Sequence, residues 1–275
     1  MKRALEDLLV VCDLENALLP AGGMIPPVDA DVVRLFQNRG GRFTVATDRS
    51  PAALQAALDG IALSVPAICS GGAQLYDGRA HKALAAHRLD HAAALRAMQE
   101  LAEQFPQLGA AVQTEDGLLR LAHSSAQLRR WADEQKTNLL YEQPENMPDS
   151  WQKVVFCGEE ARVDFLEQYL RSRDFGDEIH VSRTEDTVLT LLPAKATRGA
   201  ALLALARVCG TDANDVVYIG GCADAVEPMS LAGHTAAVKG APPRVLLAAD
   251  TVTKISAAEG AVAEYLYDLV RRYEA

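Results

Sequence analysis

The stretch LLVVCDLENALLP, residues 8–20, holds a continuous apolar run that ends at Asp13, and Glu15 follows two residues later. A short apolar run without polar alternation is typical of a strand in a parallel sheet, where both faces are buried. A carboxylate at the end of such a strand can act as a nucleophile, or it can only cap a turn. The stretch therefore raises the question whether Asp13 takes part in chemistry.

The chain that follows alternates between strand and helix patterns. Apolar residues spaced for one helix face lead to Gly40 and Gly41, which favour the end of a helix. A second strand comes next, and then a helix that begins at Ser50 and Pro51, since Ser suits an N-cap and Pro the first helical position. With a third strand after it, this alternation predicts an α/β fold with a doubly wound parallel sheet.

The middle of the chain changes character before the alternation returns. Two amphipathic helix patterns, a hairpin pattern around Asp116-Gly117 and further strands fill this part. The pattern predicts an α/β core built from residues 1–80 and 188–275, with residues 81–187 forming an inserted α+β cap domain.

Composition narrows the classes of partner. The net charge of −10 disfavours nucleic acid and anionic membrane surfaces, since both are bound by patches of Lys and Arg. The five cysteines have no CxxC spacing, which predicts neither a disulfide framework nor a zinc site and fits a reducing cytoplasm. No apolar stretch reaches the roughly 18–20 residues that span a bilayer. We therefore expect a cytoplasmic protein, and its oligomeric state is not indicated.

Three of the predicted strands end in polar clusters, which read CDLEN, ATDRS and GGCADA. In open α/β sheets, ligands bind at the carboxyl ends of the strands. Phosphoryl transfer through a carboxylate needs that nucleophile, a hydroxyl and a cation that hold the phosphate, and further carboxylates for a magnesium ion. The three strand ends offer groups of these kinds.

The order and spacing of these segments resemble the haloacid dehalogenase-like superfamily, in its Cof-type branch of sugar-phosphate phosphatases. The resemblance is carried mainly by TLLPAKATRGAALLALARVCG, residues 190–210, and by the segment from VVYIGGCADAVEP to AADTVT, residues 216–253. The family pattern there runs Lys-Gly-x-Ala-Leu and then Gly-Asp-x-x-Asn-Asp. The resemblance implies a Rossmann-like core, an inserted cap, a magnesium ion and a small phosphorylated ligand.

The resemblance also assigns roles to residues. Asp13 matches the nucleophile of the family motif Asp-x-Asp-Gly-Thr, and Glu15 stands at the general acid/base. Thr47 matches the phosphate-binding hydroxyl, and Arg198 stands where the family has a catalytic Lys. The resemblance leaves Asp13 and Asp224 as the residues that would hold the metal ion.

Three positions depart from the family pattern. Gly221 and Ala225 replace the Asp residues of the magnesium motif, and Asp48 replaces a Gly that approaches the phosphate. Asp224 also suits the N-cap of the helix after it. We expect the nucleophile and the phosphate-binding residues to meet beneath the cap, with Glu15 and Asp224 at the rim of that cleft.

Three interpretations follow from these departures. In the leading one, phosphatase activity is weak or lost, and a small phosphorylated ligand can still bind. In the second, an active magnesium-dependent phosphatase uses Glu15, Asp224 or Glu227 as substitute carboxylates. In the third, the chain is a non-catalytic interaction or regulatory protein. The leading interpretation predicts that Gly221→Asp with Ala225→Asp raises magnesium-dependent hydrolysis.

Overall fold

The computed structural model describes residues 4–173 and 178–274, and its strands form two sheets. The strands are, in chain order, β1 (Leu9–Asp13), β2 (Arg42–Ala46), β3 (Ala67–Cys69), β4 (Gln74–Asp77), β5 (Lys82–Ala86), β6 (Gly109–Thr114), β7 (Leu119–His123), β8 (Leu139–Tyr141), β9 (Trp151–Cys157), β10 (Ile179–Glu185), β11 (Val188–Pro193), β12 (Val216–Gly220), β13 (His234–Lys239) and β14 (Thr251–Ser256). The α-helices are α1 (Pro27–Asn38), α2 (Pro51–Ala57), α3 (His91–Gln104), α4 (Ala126–Glu134), α5 (Glu160–Ser172), α6 (Arg198–Val208), α7 (Val226–Leu231), α8 (Pro243–Ala248) and α9 (Ala261–Glu274).

The larger sheet has eight strands in the order β14-β13-β12-β1-β2-β3-β4-β5. The strands from β14 to β3 are parallel, and β4 and β5 add an antiparallel hairpin at one edge. The chain winds outward in one direction from β1 to β3 and in the other from β12 to β14, so the switch point lies between β1 and β12. Helices α1, α2 and α9 pack on one face, and α6, α7 and α8 pack on the other. The predicted doubly wound α/β core is confirmed.

The smaller sheet has six strands in the order β10-β11-β9-β6-β7-β8. All of its pairs are antiparallel except β7 with β8. Helices α3 and α5 pack on one face through Leu101 and Leu166, and α4 packs on the other through Leu128. We call this sheet with α3, α4 and α5 the cap, and the larger sheet with the remaining helices the core.

The predicted limits of the insertion, after residues 80 and 187, each fall inside a hairpin. β5 is paired with β4 in the larger sheet, and β11 is paired with β9 and β10 in the smaller one. Sheet membership therefore changes after residue 86 and again after residue 193. The reason is local: strand patterns on the two arms of a hairpin do not reveal which sheet each arm joins.

Short sequence signals determine where the elements at the carboxyl edge of the larger sheet begin. All five residues of β1 are buried, as expected for a central parallel strand. Ser50 caps α2 as predicted, and its side chain accepts a hydrogen bond from Ala53 N at 3.3 Å. Thr197 caps α6 in the same way, with Ala200 N at 3.0 Å, so that α6 begins at Arg198. Within residues 4–173 and 178–274, no helix has the length and apolar character needed to cross a membrane.

Candidate functional site

The carboxyl ends of β1, β2 and β12 lie side by side, because β1 pairs with both of the other strands. Asp13 ends β1, Thr47 directly follows β2, and Gly221 directly follows β12. Arg198, the first residue of α6, reaches the same edge. Loop and strand residues of the cap lie over these strand ends.

Both carboxylate oxygens of Asp13 are engaged, and the side chain is fully buried. Oδ1 accepts hydrogen bonds from Arg198 Nη1 at 2.8 Å and from the Tyr218 hydroxyl at 2.6 Å. Oδ2 accepts hydrogen bonds from the backbone N–H groups of Gly221 at 2.8 Å and Cys222 at 3.0 Å. Burial and the Asp13 charge raise the pKa of Tyr218 well above its usual value, which keeps its hydroxyl a donor. Four donors thus hold the Asp13 carboxylate in one orientation.

Arg198 places one guanidinium among three carboxylates. Besides its bond to Asp13, Nη2 donates to Asp48 Oδ2 at 3.2 Å. Nε lies 2.9 Å from Asp224 Oδ2, in an ion pair that lacks hydrogen-bond alignment. Burial opposes the Arg198 charge, but Asp224, Asp48 and Asp13 together raise its pKa well above the usual value. Asp48, which stands where the family has a Gly close to the phosphate, therefore pairs with the Arg198 guanidinium.

Glu15 and Thr47 are bound to one another rather than to Asp13. The Thr47 hydroxyl donates to Glu15 Oε1 at 2.7 Å, and Arg49 Nε donates to the same oxygen at 2.9 Å. Thr47 Oγ1 also accepts a hydrogen bond from the backbone N–H of Arg49 at 3.1 Å. The hydroxyl that would hold a phosphate is thus bound to one oxygen of the carboxylate at the acid/base position, while Glu15 Oε2 is buried without a hydrogen-bond partner among the described residues.

Asp224 and Glu227 have different positions from those expected. Neither helix near Asp224 has it as N-cap, so that interpretation was wrong. Asp224 lies beside Arg198 and borders a cavity of about 690 Å³. Burial raises the pKa of Asp224 to about 7, although Arg198 lowers it. Glu227 accepts hydrogen bonds from Thr197 Oγ1 at 2.6 Å and from Gly199 N at 3.3 Å, which fixes it at the start of α6.

The backbone of the loop after β1 fills the space where a side chain at residue 221 would project. A Cβ at Gly221 would lie 2.5 Å from the carbonyl carbon and oxygen of Asn16 and 2.8 Å from Ala17 N. Ala225 is fully buried in an apolar cluster with Tyr218 and Met229. The expectation that Gly221→Asp with Ala225→Asp restores a metal site therefore conflicts with the packing, because neither carboxylate has room.

The cap lies over this edge and leaves little space between Glu15, Lys153 and Asp224. Lys153 of β9 is buried, and its ammonium donates to the Asp48 carbonyl oxygen. Burial lowers the pKa of Lys153 and raises that of Glu185 to about 7. The cavity between Glu15, Lys153 and Asp224 has a volume of about 20 Å³. A cavity of that size accommodates about one water molecule.

The residues present do not fit a magnesium ion. Mg²⁺ needs oxygen ligands at about 2.0–2.1 Å in near-octahedral geometry. The Asp13 oxygens are each shared by two hydrogen-bond donors, the Gly221 side chain offers no ligand, and the Arg198 guanidinium lies 2.8 Å from Asp13 Oδ1. Nowhere in the described part of the chain do three or more His, Cys, Asp or Glu residues converge in a way that could hold a metal ion.

Sequence reasoning missed three residues of the site, although each carried a signal. Tyr218 stands in the middle of a buried parallel strand, where a hydroxyl needs a partner. Lys153 interrupts an apolar strand, and a buried ammonium likewise needs one. Arg49 directly follows Asp48 at a strand end. These signals show that a partner exists but do not identify it, because every partner is distant in the chain.

Comparisons with solved structures agree with this fold. A haloacid dehalogenase-like hydrolase from Bacteroides thetaiotaomicron is 19% identical, with a TM-score of 0.84 over 95% of this chain and 99% of that one. A second protein of that organism, described among phosphatases of the haloalkanoate superfamily, is 16% identical, with a TM-score of 0.79 and 96% of each chain covered. The subclass IIB sugar phosphatase BT4131 is 15% identical, with a TM-score of 0.80 over 96% and 99%.

A family model agrees with these structures and covers most of the sequence. It describes a haloacid dehalogenase-like hydrolase and matches residues 10–266, which include the whole of the site and the cap. The chain belongs to the haloacid dehalogenase-like hydrolase family.

Proposed function

We propose that this chain is a non-hydrolytic member of its family, whose phosphoryl-transfer site is filled by the chain's own charged groups. The observation that carries the proposal is the state of Asp13, with two hydrogen-bond donors on each carboxylate oxygen. A nucleophilic carboxylate must direct a free oxygen lone pair at phosphorus. Asp13 would have to lose at least one of its two bonds on either oxygen before that oxygen could attack.

The space beside Lys153 supports the same proposal. The cavity between Glu15, Lys153 and Asp224 has a volume of about 20 Å³, with room for about one water molecule. A phosphate ester at that point would require the cap to move away from Asp48 and Arg49. Larger cavities, of about 690 and 480 Å³, border Asp224 and Gly221 and leave room for a small ligand beside the site.

The rewired-phosphatase interpretation receives less support, because each of the three substitute carboxylates already has a partner on at least one oxygen. Glu15 Oε1 accepts hydrogen bonds from Thr47 and Arg49. Asp224 Oδ2 is paired with Arg198, and Glu227 is bound at the start of α6. Glu15 Oε2 and Asp224 Oδ1 are buried and have no hydrogen-bond partner among the described residues. A metal ion that bridged them to Asp13 would still have to displace donors from the Asp13 carboxylate.

A hydrolysis assay tests the proposal. We expect the purified protein, with p-nitrophenyl phosphate and Mg²⁺, to hydrolyse this substrate no faster than its Asp13→Asn variant, with or without a chelator. Enzymes commonly turn over at about 1–10³ s⁻¹, so the contrast is large. Chelator-sensitive turnover that Asp13→Asn abolishes would overturn the proposal and favour the rewired phosphatase.

A further inference from the structure

We propose that a cavity at the amino edge of the larger sheet binds a small organic acid with an apolar body, and that Arg79 holds the acidic group. The cavity has a volume of about 460 Å³ and lies between α2, the loop 58–66 and the turn after β4. Ligand sites in proteins commonly enclose about 300–1,000 Å³ and have mostly apolar walls with a few polar groups. This second site does not depend on the proposed function.

The cavity lies on the edge of the sheet opposite to Asp13. Asp13 ends β1, at the carboxyl ends of the parallel strands. The loop 58–66 instead leads into the start of β3, and Tyr76 of the antiparallel β4 lies opposite Ala67, the first residue of β3. The residues that line this cavity are all different from those that line the cavities at the carboxyl edge. The cavity is therefore separate from the candidate phosphoryl-transfer site.

One face of α2 and the loop after it form the apolar wall of the cavity. Residues 51, 54, 55 and 58 follow the spacing of three and four that places side chains on one helix face, and all four line the cavity. The loop contributes Ile61, Leu63 and Val65, which are only half-buried. An apolar ligand body would remove more of this surface from water, which is favourable.

Three side chains that line the cavity carry hydrogen-bond donors that the chain itself does not use. They are the Gln55 amide, the Tyr76 hydroxyl and the Arg79 guanidinium, and none of them makes a hydrogen bond or ion pair among the residues that the structure describes. Gln55 and Arg79 are exposed, and Tyr76 is half-buried. The guanidinium fork matches the two oxygens of a carboxylate. Unused donors, one of them cationic, favour a ligand with an anionic head group.

Asp77 also lines the cavity, but the turn after β4 engages its charge. Its Oδ1 accepts hydrogen bonds from the backbone N–H groups of Ala80 at 3.1 Å and Arg79 at 2.9 Å, and both bonds lower the pKa of Asp77. These bonds fix the backbone at Arg79 and leave its guanidinium for a ligand. A ligand with an ammonium head group would meet the Arg79 charge, and like charges repel.

Calorimetry with three ligands of equal chain length tests the inference: sodium octanoate, octanol and octylammonium chloride. The wild type should bind octanoate with a Kd below about 1 mM, and the other two at least about fivefold more weakly. Arg79→Ala should weaken octanoate binding about fivefold or more and octanol binding less than about twofold, because it removes the cation and leaves the apolar wall. Gln55→Trp should abolish octanoate binding, because the indole fills the cavity from an exposed position of α2.

Arg34→Ala serves as the matched control, because Arg34 is an exposed arginine of the core that pairs with Asp31 at 2.9 Å and does not line the cavity. It should bind octanoate as the wild type does. Hydrogen exchange of the wild type gives the position of the ligand, and octanoate should slow exchange in residues 51–66 and 76–80. If Gln55→Trp does not fold, Arg79→Glu decides. This change reverses an exposed charge, so it should abolish octanoate binding and keep octanol binding.

Several results would overturn the inference. They are a wild type that binds no octanoate, octanol or octylammonium binding as tight as that of octanoate, and unchanged octanoate affinity in Arg79→Ala or Gln55→Trp. Slower exchange in residues 13–17 in place of 51–66 would assign octanoate to the carboxyl edge and would also overturn it. A wild type that hydrolyses phosphate esters with Mg²⁺ would refute the proposed function alone. The two proposals can therefore fail separately.

Discussion

Asp29 is a buried carboxylate far from the site, and its surroundings oppose its charge. It lies in α1, is fully buried, and accepts a hydrogen bond from Ala263 N at 2.6 Å in the first turn of α9. Its other oxygen is buried and has no hydrogen-bond partner among the residues that the structure describes. Burial raises the pKa of Asp29 to about 7. Because the folded-state pKa is raised, the folded chain binds this proton more tightly, and stability is lost as the pH rises from about 4 to about 7.

Asp29→Asn should remove this dependence. The amide oxygen can still accept the Ala263 bond, and the variant has no charge to bury. We expect it to exceed the wild type by about 1–3 kcal/mol in free energy of unfolding at pH 8, and by much less at pH 4.5. Urea denaturation at the two pH values measures both. A variant that is less stable at pH 8 would show that the charged form of Asp29 is favourable to α9.

Residues at the site differ in how far the sequence could predict them. Asp13 and Arg198 lie together, as expected from the family resemblance that selected Arg198 and from the rule that ligands bind at strand ends. The saturation of Asp13 depends on Tyr218 and on two backbone N–H groups after β12, more than 200 positions away. Such bonds follow from the exact approach of two loops, which no local pattern encodes.

At the scale of elements, the loop after β1 and the loop after β12 pack as one unit. The first is a tight turn in which Leu19 N donates to the Leu14 carbonyl at 2.7 Å and Asn16 N donates to the Leu19 carbonyl at 2.9 Å. Asn16 has a positive φ of 59°, which this turn requires. The second loop passes so close to it at Gly221 that only glycine fits.

Gly221→Ala should therefore destabilise the protein by about 2–3 kcal/mol or more, because the new methyl group would overlap main-chain atoms of the turn. Gly78→Ala is the matched control, since nothing lies within 4 Å of a Cβ there and its φ is not in the left-handed region. It should be nearly neutral. Chemical denaturation of both variants measures the difference. Wild-type stability of Gly221→Ala would mean that the turn can move and that residue 221 could carry a ligand.

For the whole molecule, alternating patterns predicted the core well and the limits of the insertion less well. The strand order of a doubly wound sheet follows from the succession of strands and helices with short connections. The hairpin 74–86 pairs with β3 in the core, and the hairpin 179–193 pairs with β9 in the cap. Tertiary packing decides which sheet each hairpin joins. The closeness of cap and core could not be predicted at all, because it depends on side chains from both.

Arg49 is central to that closure. Its guanidinium extends from the core to the carboxyl end of α4, donating to the carbonyl oxygens of Gln135 at 2.9 Å and Glu134 at 3.4 Å, while Nε holds Glu15. A cation at a helix carboxyl end is favourable, because unpaired carbonyls gather there. Lys153 adds a second connection, from the cap to the Asp48 carbonyl. The cap is thus fastened to the loop that follows β2.

Arg49→Ala should loosen the cap without unfolding it, because core and cap each have their own apolar cluster. We expect faster amide hydrogen exchange in residues 47–50 and 131–136, and a loss of about 2–4 kcal/mol in stability from the unpaired carbonyls and Glu15. Exchange in the central strands of both sheets should change little at early times. Mass spectrometry of exchanged peptides resolves these regions.

Arg129→Ala is the control for this prediction, since Arg129 also lies on α4 but is exposed, and its side chain donates to nearby Ser124 at 3.0 Å. If Arg49→Ala and Arg129→Ala exchange alike, Arg49 does not hold the cap. If only Arg49→Ala opens the cap, the same variant shows which of two features prevents hydrolysis: the closed cap or the bond between Arg198 and Asp13. The variant frees Glu15 from the Arg49 side chain but leaves Asp13 bound to Arg198 and Tyr218. We therefore expect the opened variant to remain without magnesium-dependent hydrolysis, because the barrier to chemistry lies in the core.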